Sequence, residues 1–587
     1  MGTIKSGLNQ PAIWNHSPCD PGIKEQFTEV LEIPAPVAAC LYSIGIQDHE
    51  VAKRFLDPKL ADLENPFKIT HLEPLVHRLV LAIERNEKIA ISGDYDVDGI
   101  TSTGLMVHIL RHFGLNPSSY IPLREGEGYG LSQGIIDRVL QEETPDIFLA
   151  LDCGTNARDA VESLKEKGIE VLVVDHHQCQ TKRPPDCLVV NPHVWDGNDR
   201  PWSHLCAVGL VFKVAHGLLK KLRLKQDVRA YQIKLSRYLD LVSLGTVADM
   251  MPLRDENRIF VHYGLQRLSK TQNKGIKALH IIADVNKEPP INPNEISFKI
   301  APRINACGRL ADASIPLQLI LSDCDDTCQA LAEQMDLTNR QRQQIEQRLI
   351  KQAEAQVEAH FSAHLGLILY DRSWHTGVVG IAAGKLSRQY NRPCIVLGYQ
   401  GKGILKGSGR SVNGISLIKT LENCDSLLDS WGGHPMAAGV SLLEENLNAL
   451  RAAFNQTLRK IGETEIRTRE ITITEWIEMD DISIDLLDAL SRLEPYGQDH
   501  PQPIFGVKKV ILKKPAKIIG KQSHHCRLIL ENSYGDDFYA IGWNKASNVP
   551  PTNQPIDIAI RMKWDLWRGK RTLQIEWIDW RLTAEIH

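Results

Sequence analysis

A chain of 587 residues, 43% apolar and 24% charged, has the composition of a soluble globular protein and excludes a disordered or collagen-like one. It is too long for one hydrophobic core and predicts roughly three to four domains. The formal net charge of −4 gives no overall attraction to a phosphate backbone, so any nucleic-acid contact must come from local patches.

Residues 1–70 read as short helices interrupted by prolines, an N-terminal helical extension. Residues 71–87 carry apolar residues at helical spacing. They run into KIAISGDYDVDG, a short buried-strand run that turns through aspartates into the helical segment STGLMVHILRHFG. The pattern repeats: PDIFLALDCG ends a strand at Asp152, NARDAVESLKEKG is helical, and IEVLVVDHH ends a strand at Asp175, His176 and His177. Strands rich in Val, Ile and Leu alternating with amphipathic helices predict a mostly parallel sheet in an α/β fold. Ligands sit beyond the C-terminal ends of such strands, so the three polar clusters should converge.

Residues 202–270 read as helical, with Asp249 just after an apolar run. A segment bearing Arg303, Asn305 and Arg309 follows. The stretch 321–360, without Gly or Pro between about 323 and 359, predicts one long connecting helix rather than a coiled-coil arm, since heptads do not persist. A second α/β unit is expected over 361–460. After about 465, short runs alternate apolar and polar residues, which predicts an antiparallel β-domain, a small barrel. The 12 cysteines include no CxxC pair, which argues against a zinc ribbon. Residues 1–16 lack the apolar core of a signal peptide, so a cytoplasmic protein with reduced thiols and no membrane segment is expected.

Asp94, Asp96 and Asp98 stand two apart, and alternate carboxylates of an extended segment point the same way. Like-charge repulsion makes such a cluster costly unless cations bind it. Asp152, Asp175, His176 and Asp249 add carboxylate and imidazole donors, an oxygen-rich set that suits Mn2+ or Mg2+ rather than a thiolate zinc site. A calcium loop is disfavoured, because the helix begins before a twelfth-position glutamate could arrive. Two divalent ions in one such site activate a water and stabilise charge on a transferring phosphoryl group. Asp152, alone at its strand end, is the natural bridging carboxylate. Arg303, Asn305 and Arg309 have the chemistry of a phosphate clamp, with a salt-bridged surface loop as the alternative. In the second α/β unit, GSGRS and GGHP place glycines beside Ser408, Arg410, Gly433 and His434. With His375 these could line a phosphate cleft, although His434 could equally be structural. In the β-domain, Lys517, Lys521 and Trp543 belong to a basic and aromatic admixture suited to backbone tracking and base stacking, with about half of its tryptophans in the core.

DYDVDG, LDCG, VVDHH and GTVAD, in that order, resemble the motifs of the DHH phosphoesterase superfamily. APRINACGRL, WHTGVVGIAAGKL, KGSGRSVNG, WGGHPMAAG and LEPYGQDHPQPIF resemble the bacterial RecJ family of single-strand-specific exonucleases. The resemblance covers roughly residues 70–580. It implies a DHH catalytic domain (71–320), a DHHA1 domain (361–460) and an OB-like nucleic-acid-binding domain (461–587). It implies Asp96, Asp98, Asp152, His176 and Asp249 as metal ligands, with Asp94 a ligand or a positioning carboxylate. Asp175 then holds an imidazole tautomer or coordinates directly, and His177 touches the scissile phosphate or orients the attacking water. The implied activity is 5′ to 3′ hydrolysis of single-stranded DNA to 5′-mononucleotides, with two Mn2+ or Mg2+ ions per site, in DNA repair and recombination. A helicase and a single-strand-binding protein are the implied partners of what is expected to be a monomer. Strand polarity follows from the resemblance alone. Two rivals are a superfamily enzyme acting on short oligoribonucleotides, a nucleotide 3′-phosphate or inorganic polyphosphate, and a non-catalytic nucleic-acid-binding or replication scaffold protein. The extra C-terminal domain argues against the first and the complete aspartate set against the second.

Overall fold

The strand Ile89–Gly93 is buried at every position and is the second of five in a wholly parallel sheet. We describe it from a computed structural model that covers residues 12–123, 127–128, 130–180, 183–285, 291–412, 414–461, 469–520, 523–567 and 570–583. The chain forms two units, one of residues 50–340 and 493–501, the other of the described residues among 1–49, 341–492 and 502–587.

In the first unit the strand order is Ser118–Tyr120, Ile89–Gly93, Ile147–Leu151, Glu170–Val174, Leu188–Val190. The short Val/Ile/Leu runs become strands because both sheet faces are covered, so no alternation is needed. The preceding helix, Leu72–Arg85, buries Leu72, Leu75, Val76, Leu79 and Ile83 at helical spacing. It stops at Asn86, which takes the left-handed conformation at φ 52° and caps the carbonyls of Ala82 and Ile83. The helix Val97–His112 is buried almost all round and runs through the core, with Ala207–Leu224 and Leu239–Ala248 packed on it. The expected parallel sheet and the helical reading of 202–270 are both found. The expected connecting helix is Asp325–Gln356.

The second unit holds a five-stranded sheet, Ser430–His434, Ala437–Leu443, Ile404–Arg410, Cys394–Gly401, Leu367–Tyr370, in which only the last pair is parallel. The glycine-rich stretches GSGR and GGH lie in strands: Ser408 pairs with Gly439, Arg410 with Ala437 and Gly433 with Ala438. Glycines there let strands and neighbouring side chains approach, a use that sequence alone does not separate from a turn. A further seven-stranded sheet runs from Glu475–Ile477 to Lys517–Ile519, with Trp577 in its core. The N-terminal segment is not wholly helical. Ala12–His16 is a strand paired in parallel with Arg469–Ile473, and Trp14 Nε1 donates to Asp579 at 3.1 Å. Among the described residues, no helix is long and apolar enough to cross a membrane.

Candidate metal centre

Every motif carboxylate in the first unit stands at a strand end or a helix terminus. Asp96 is the N-cap of Val97–His112, and its side chain accepts from Asp98 N (2.9 Å) and Gly99 N (3.2 Å). Gly99 is required because a Cβ there would run into the Asp94 backbone. Asp98 is 1% exposed. Its two oxygens accept from Ala207 N (2.7 Å) and Val208 N (2.9 Å), the N-terminus of a helix whose dipole favours the anion. Burial and the Asp96 charge nevertheless push its carboxyl up to about 6. Asp152 follows its strand in the left-handed region, φ 61°, a conformation that the fold must hold in place. Burial and four neighbouring aspartates raise the carboxyl of Asp152, and burial with the charges of Asp98, Asp96 and Asp94 raises that of Asp249.

These groups meet around His176. Its Nε2 lies 3.2 Å from Asp152 Oδ1, 3.6 Å from Asp249 Oδ2 and 3.7 Å from Asp98 Oδ2. Donor atoms of Asp98, His176 and Asp249 lie within 4.8 Å of one another, as do those of Asp94, Asp96 and Asp152, and those of Asp152, His176 and His177. Asp152 is common to two of these groups, and its buried Oδ1 makes no hydrogen bond. A buried carboxylate oxygen facing a neutral imidazole and other carboxylates is costly to ionise unless a proton or a cation offsets the charge. The oxygen-rich donor set therefore fits divalent ions such as Mn2+ or Mg2+.

Asp175 is built differently. Its Oδ1 takes His176 N (2.8 Å), His177 N (3.2 Å) and His177 Nδ1 (2.7 Å), and its Oδ2 takes Thr155 N (3.0 Å). Burial pushes this carboxyl up, but the hydrogen bond and charge of His177 override it and hold it well below the usual range. The two histidines move in opposite directions. Burial, helped by the His177 charge, pulls His176 down to about 3, which leaves the neutral ring that a metal needs. Burial also opposes the charge on His177, yet the Asp175 hydrogen bond and the charges of Asp175 and Asp249 push it up to about 9. This shift favours the protonated ring of His177, whose side chain is 39% exposed.

The segment with Arg303, Asn305 and Arg309 is the helix Ala301–Leu310. It lies against Tyr95 of the DYDVDG loop. A Cβ on Gly308 would stand 2.9 Å from Tyr95 Cδ2 and 3.0 Å from Tyr95 O. Asn305 stands one turn before both Gly308 and Arg309, so its face of the helix adjoins the contact with Tyr95. Arg303 is engaged elsewhere, with both its Nε and its Nη2 2.9 Å from Asp336 Oδ1.

Sequence comparison puts these motifs in a known family. Residues 88–246 match the DHH family N-terminal domain, residues 364–460 the DHHA1 domain and residues 474–579 the RecJ OB domain. The single-stranded-DNA-specific exonuclease RecJ of Bacillus subtilis (strain 168) is 33% identical over 559 residues, which is 94% of this chain and 68% of the relative. The RecJ of Haemophilus influenzae is 33% identical over 534 residues, 89% of this chain and 92% of that one. The chain belongs to the RecJ family. Its fold agrees with the crystal structure of Thermus thermophilus RecJ in complex with Mn2+ at a TM-score of 0.82 and 27% identity, covering 97% of this chain and 80% of that one. The corresponding Mg2+ complex gives a TM-score of 0.77 at 25% identity, covering 97% and 79%.

The remaining expected residues of this RecJ-family chain lie in the second unit. His375 Nδ1 accepts from Gly377 N at 3.0 Å. Arg410 is half-buried and donates from Nη1 to Ser408 Oγ (2.6 Å) and Gly409 O (2.8 Å). His434 is exposed on its edge strand, next to Gly433. In the OB domain, Trp543 is 44% exposed, edge-on to His525 at 4.9 Å and 6.0 Å from Lys563 Nζ. Lys517 is exposed and pairs across strands with Arg527. Lys521 lies outside the described residues. Sequence reasoning missed the polar residues that brace the site. Asn191, 1% exposed, donates to Thr155 Oγ1 (2.8 Å) and His177 O (2.9 Å), and Glu256, Asn257 and Arg258 are buried in a row. A run of three polar residues at the start of an amphipathic helix gives no sign of burial.

Proposed function

We propose that the chain is an exonuclease specific for single-stranded DNA, hydrolysing phosphodiester bonds in the 5′ to 3′ direction and releasing 5′-mononucleotides. The observation that carries this reading is the sharing of Asp152 and His176 among overlapping donor groups in a RecJ-family chain. Asp98, His176 and Asp249 would hold one divalent ion and Asp94 and Asp96 the other, with Asp152 between them. Such ions, when bound, neutralise phosphate charge and lower the pKa of a water.

The chain's own residues do the rest. Asp175 has three donors on one oxygen and positions both histidines. His177, held protonated, donates to a phosphate oxygen at the rim. Asn305 and Arg309 reach towards the same phosphate from the helix seated on Tyr95, and Arg303 braces that helix through Asp336. Ser408, Arg410, Gly433, His434 and His375 supply a second phosphate-binding surface. Trp543, Lys517 and Lys521 hold the strand by stacking and charge. Repair and recombination, a monomeric state in the cytoplasm, and a helicase and a single-strand-binding protein as partners belong to the same reading, supported by the family.

The test is digestion of 5′-blocked and unblocked single-stranded DNA, with RNA and duplex controls, in Mn2+ and in Mg2+. Mononucleotide release from the unblocked strand alone is expected. Equal digestion of the 5′-blocked strand would remove the polarity, and activity confined to fragments of a few nucleotides would remove the substrate.

A further inference from the structure

Glu256, Asn257 and Arg258 lie in the first turn of the helix Asp255–Leu268 and are 1%, 1% and 2% exposed. Burying two charges and an amide in succession is costly unless each is partnered. Each of them holds a different part of the chain. Glu256 accepts from Lys213 Nζ (2.6 Å) and Glu64 N (2.7 Å). Asn257 Nδ2 donates to Pro252 O (3.1 Å) and His204 O (2.6 Å). Arg258 donates to the carbonyls of Phe55 (2.7 Å) and Glu494 (3.1 Å), with its guanidinium 3.6 Å from the Phe55 ring centre.

Asn257 therefore grips both the turn that presents Asp249 and the segment that leads into the anchor of Asp98. Pro252 lies in the turn that begins at Asp249, and His204 just precedes the Ala207 and Val208 amides that hold Asp98. The partner of Arg258, Glu494, lies in Leu493–Pro501, which packs with this unit although the chain on both sides of it belongs to the other. This segment holds the Asp249 turn as well, since Leu253 N donates to Gln498 O at 3.0 Å. The segment is closed on itself by His500, whose Nε2 lies 2.7 Å from Leu493 O and whose ring meets Phe55 edge-on at 5.1 Å. The turn needs such holding. Met250 and Asp255 have φ of 56° and 49°, which residues with side chains keep only where their surroundings fix them.

We infer that Asn257, Arg258 and the segment Leu493–Pro501 form a latch that sets Asp249 against Asp98, and that they are positioning residues for metal binding. The inference rests on the proposed ligand roles of Asp249 and Asp98. The latch acts before any substrate is present: without it the ligands remain but no longer converge. Loss of an outer partner of a metal ligand weakens metal binding about 10–100-fold.

The test is titration of Mn2+ into the metal-free full-length chain, followed by calorimetry and by the spin-resonance signal of free Mn2+. Asn257→Ala and Arg258→Leu should each bind Mn2+ about tenfold or more weakly, with KM for single-stranded DNA unchanged at saturating Mn2+. His500→Ala should weaken binding by a smaller factor, and His500→Gln, whose amide can donate to Leu493 O, should restore it. If Arg258→Leu does not fold, His500→Ala decides. Folded Asn257→Ala and His500→Ala chains with Mn2+ affinity within about twofold of the parent, a change far below the outer-partner effect, would overturn the latch. The control is Asp249→Asn. Loss of Mn2+ affinity there, with none in the other variants, overturns the latch alone; no loss in Asp249→Asn overturns the ligand assignment and the latch with it.

Discussion

Replacing Asp152 by asparagine tests the electrostatics of the site without any measurement of activity. Asp152 is 2% exposed, and its donor oxygen lies within 4.8 Å of those of Asp94 and Asp96. Two unit charges at that separation repel by about 3 kcal/mol at an effective dielectric of about 20. The metal-free chain escapes part of this by binding protons, as the raised carboxyls of Asp98, Asp152 and Asp249 indicate. The net relief from removing one charge is therefore about 1–3 kcal/mol. Asparagine keeps the shape, accepts a positive φ and can donate to His176 Nε2, which stands 3.2 Å from the present oxygen. In scanning calorimetry the metal-free Asp152→Asn protein should unfold about 2 °C or more above the parent. The stabilisation that Mn2+ confers on the parent, about 4 kcal/mol at a thousandfold excess over Kd, should largely disappear. A metal-free variant that melts below the parent and still gains the full Mn2+ shift would refute the reasoning.

The pH dependence of metal binding has a defined sign. A carboxyl raised in the folded state, as Asp98 is to about 6, stabilises the metal-free chain at low pH and loses that contribution as pH rises through its folded value. Mn2+ needs the same carboxylates ionised, so its affinity should fall steeply as pH drops through about 6, and a flat titration series would contradict this. Gly308→Ala places a methyl 2.9 Å from Tyr95 Cδ2 and 3.0 Å from Tyr95 O. It should cost about 1–3 kcal/mol in denaturant melts and slow hydrolysis while sparing DNA affinity; an unchanged kcat would detach this helix from the chemistry. Trp543→Ala should weaken single-strand affinity by about 1–3 kcal/mol, read by fluorescence anisotropy, with Mn2+ binding intact. Unchanged DNA affinity would remove Trp543 from the interface.

Much of this was legible in the sequence, for identifiable reasons. The strand Ile147–Leu151 is apolar throughout because it is buried on both faces, and its polar successor, Asp152, marks the strand end. Three carboxylates two apart between a strand and a helix repel one another, which points to a cation. The glycine-rich strands of the second unit were not legible, since GSGR and GGH carry turn composition while pairing in register. Nor was the pairing of Ala12–His16 with Arg469–Ile473, because it joins segments more than 450 residues apart and leaves no local trace. Arg303 had the right chemistry for a phosphate clamp, but sequence could not show that Asp336 lies within 2.9 Å of it.

The distribution of hydrogen bonds explains how one site can be both strongly anionic and folded. An ionised carboxylate offers about four lone-pair sites. Asp175 carries four donors, three on Oδ1 and Thr155 N on Oδ2, as many as it has lone-pair sites, so it fixes the histidines and is satisfied without a cation. Each Asp98 oxygen accepts one helix-terminal amide and retains a lone pair, so the same group is anchored and still able to bind. Asp152 Oδ1 accepts none. The carboxylates thus form a gradient from fully satisfied to unsatisfied, and their consequences on substitution should differ accordingly. Asp175→Asn turns one acceptor into a donor facing backbone amides or an imidazole N–H, so it should destabilise the metal-free fold by about 1–3 kcal/mol. Asp152→Asn should stabilise that same fold. Opposite signs for two buried aspartates in one site are the outcome by which anchoring and metal-binding carboxylates are told apart.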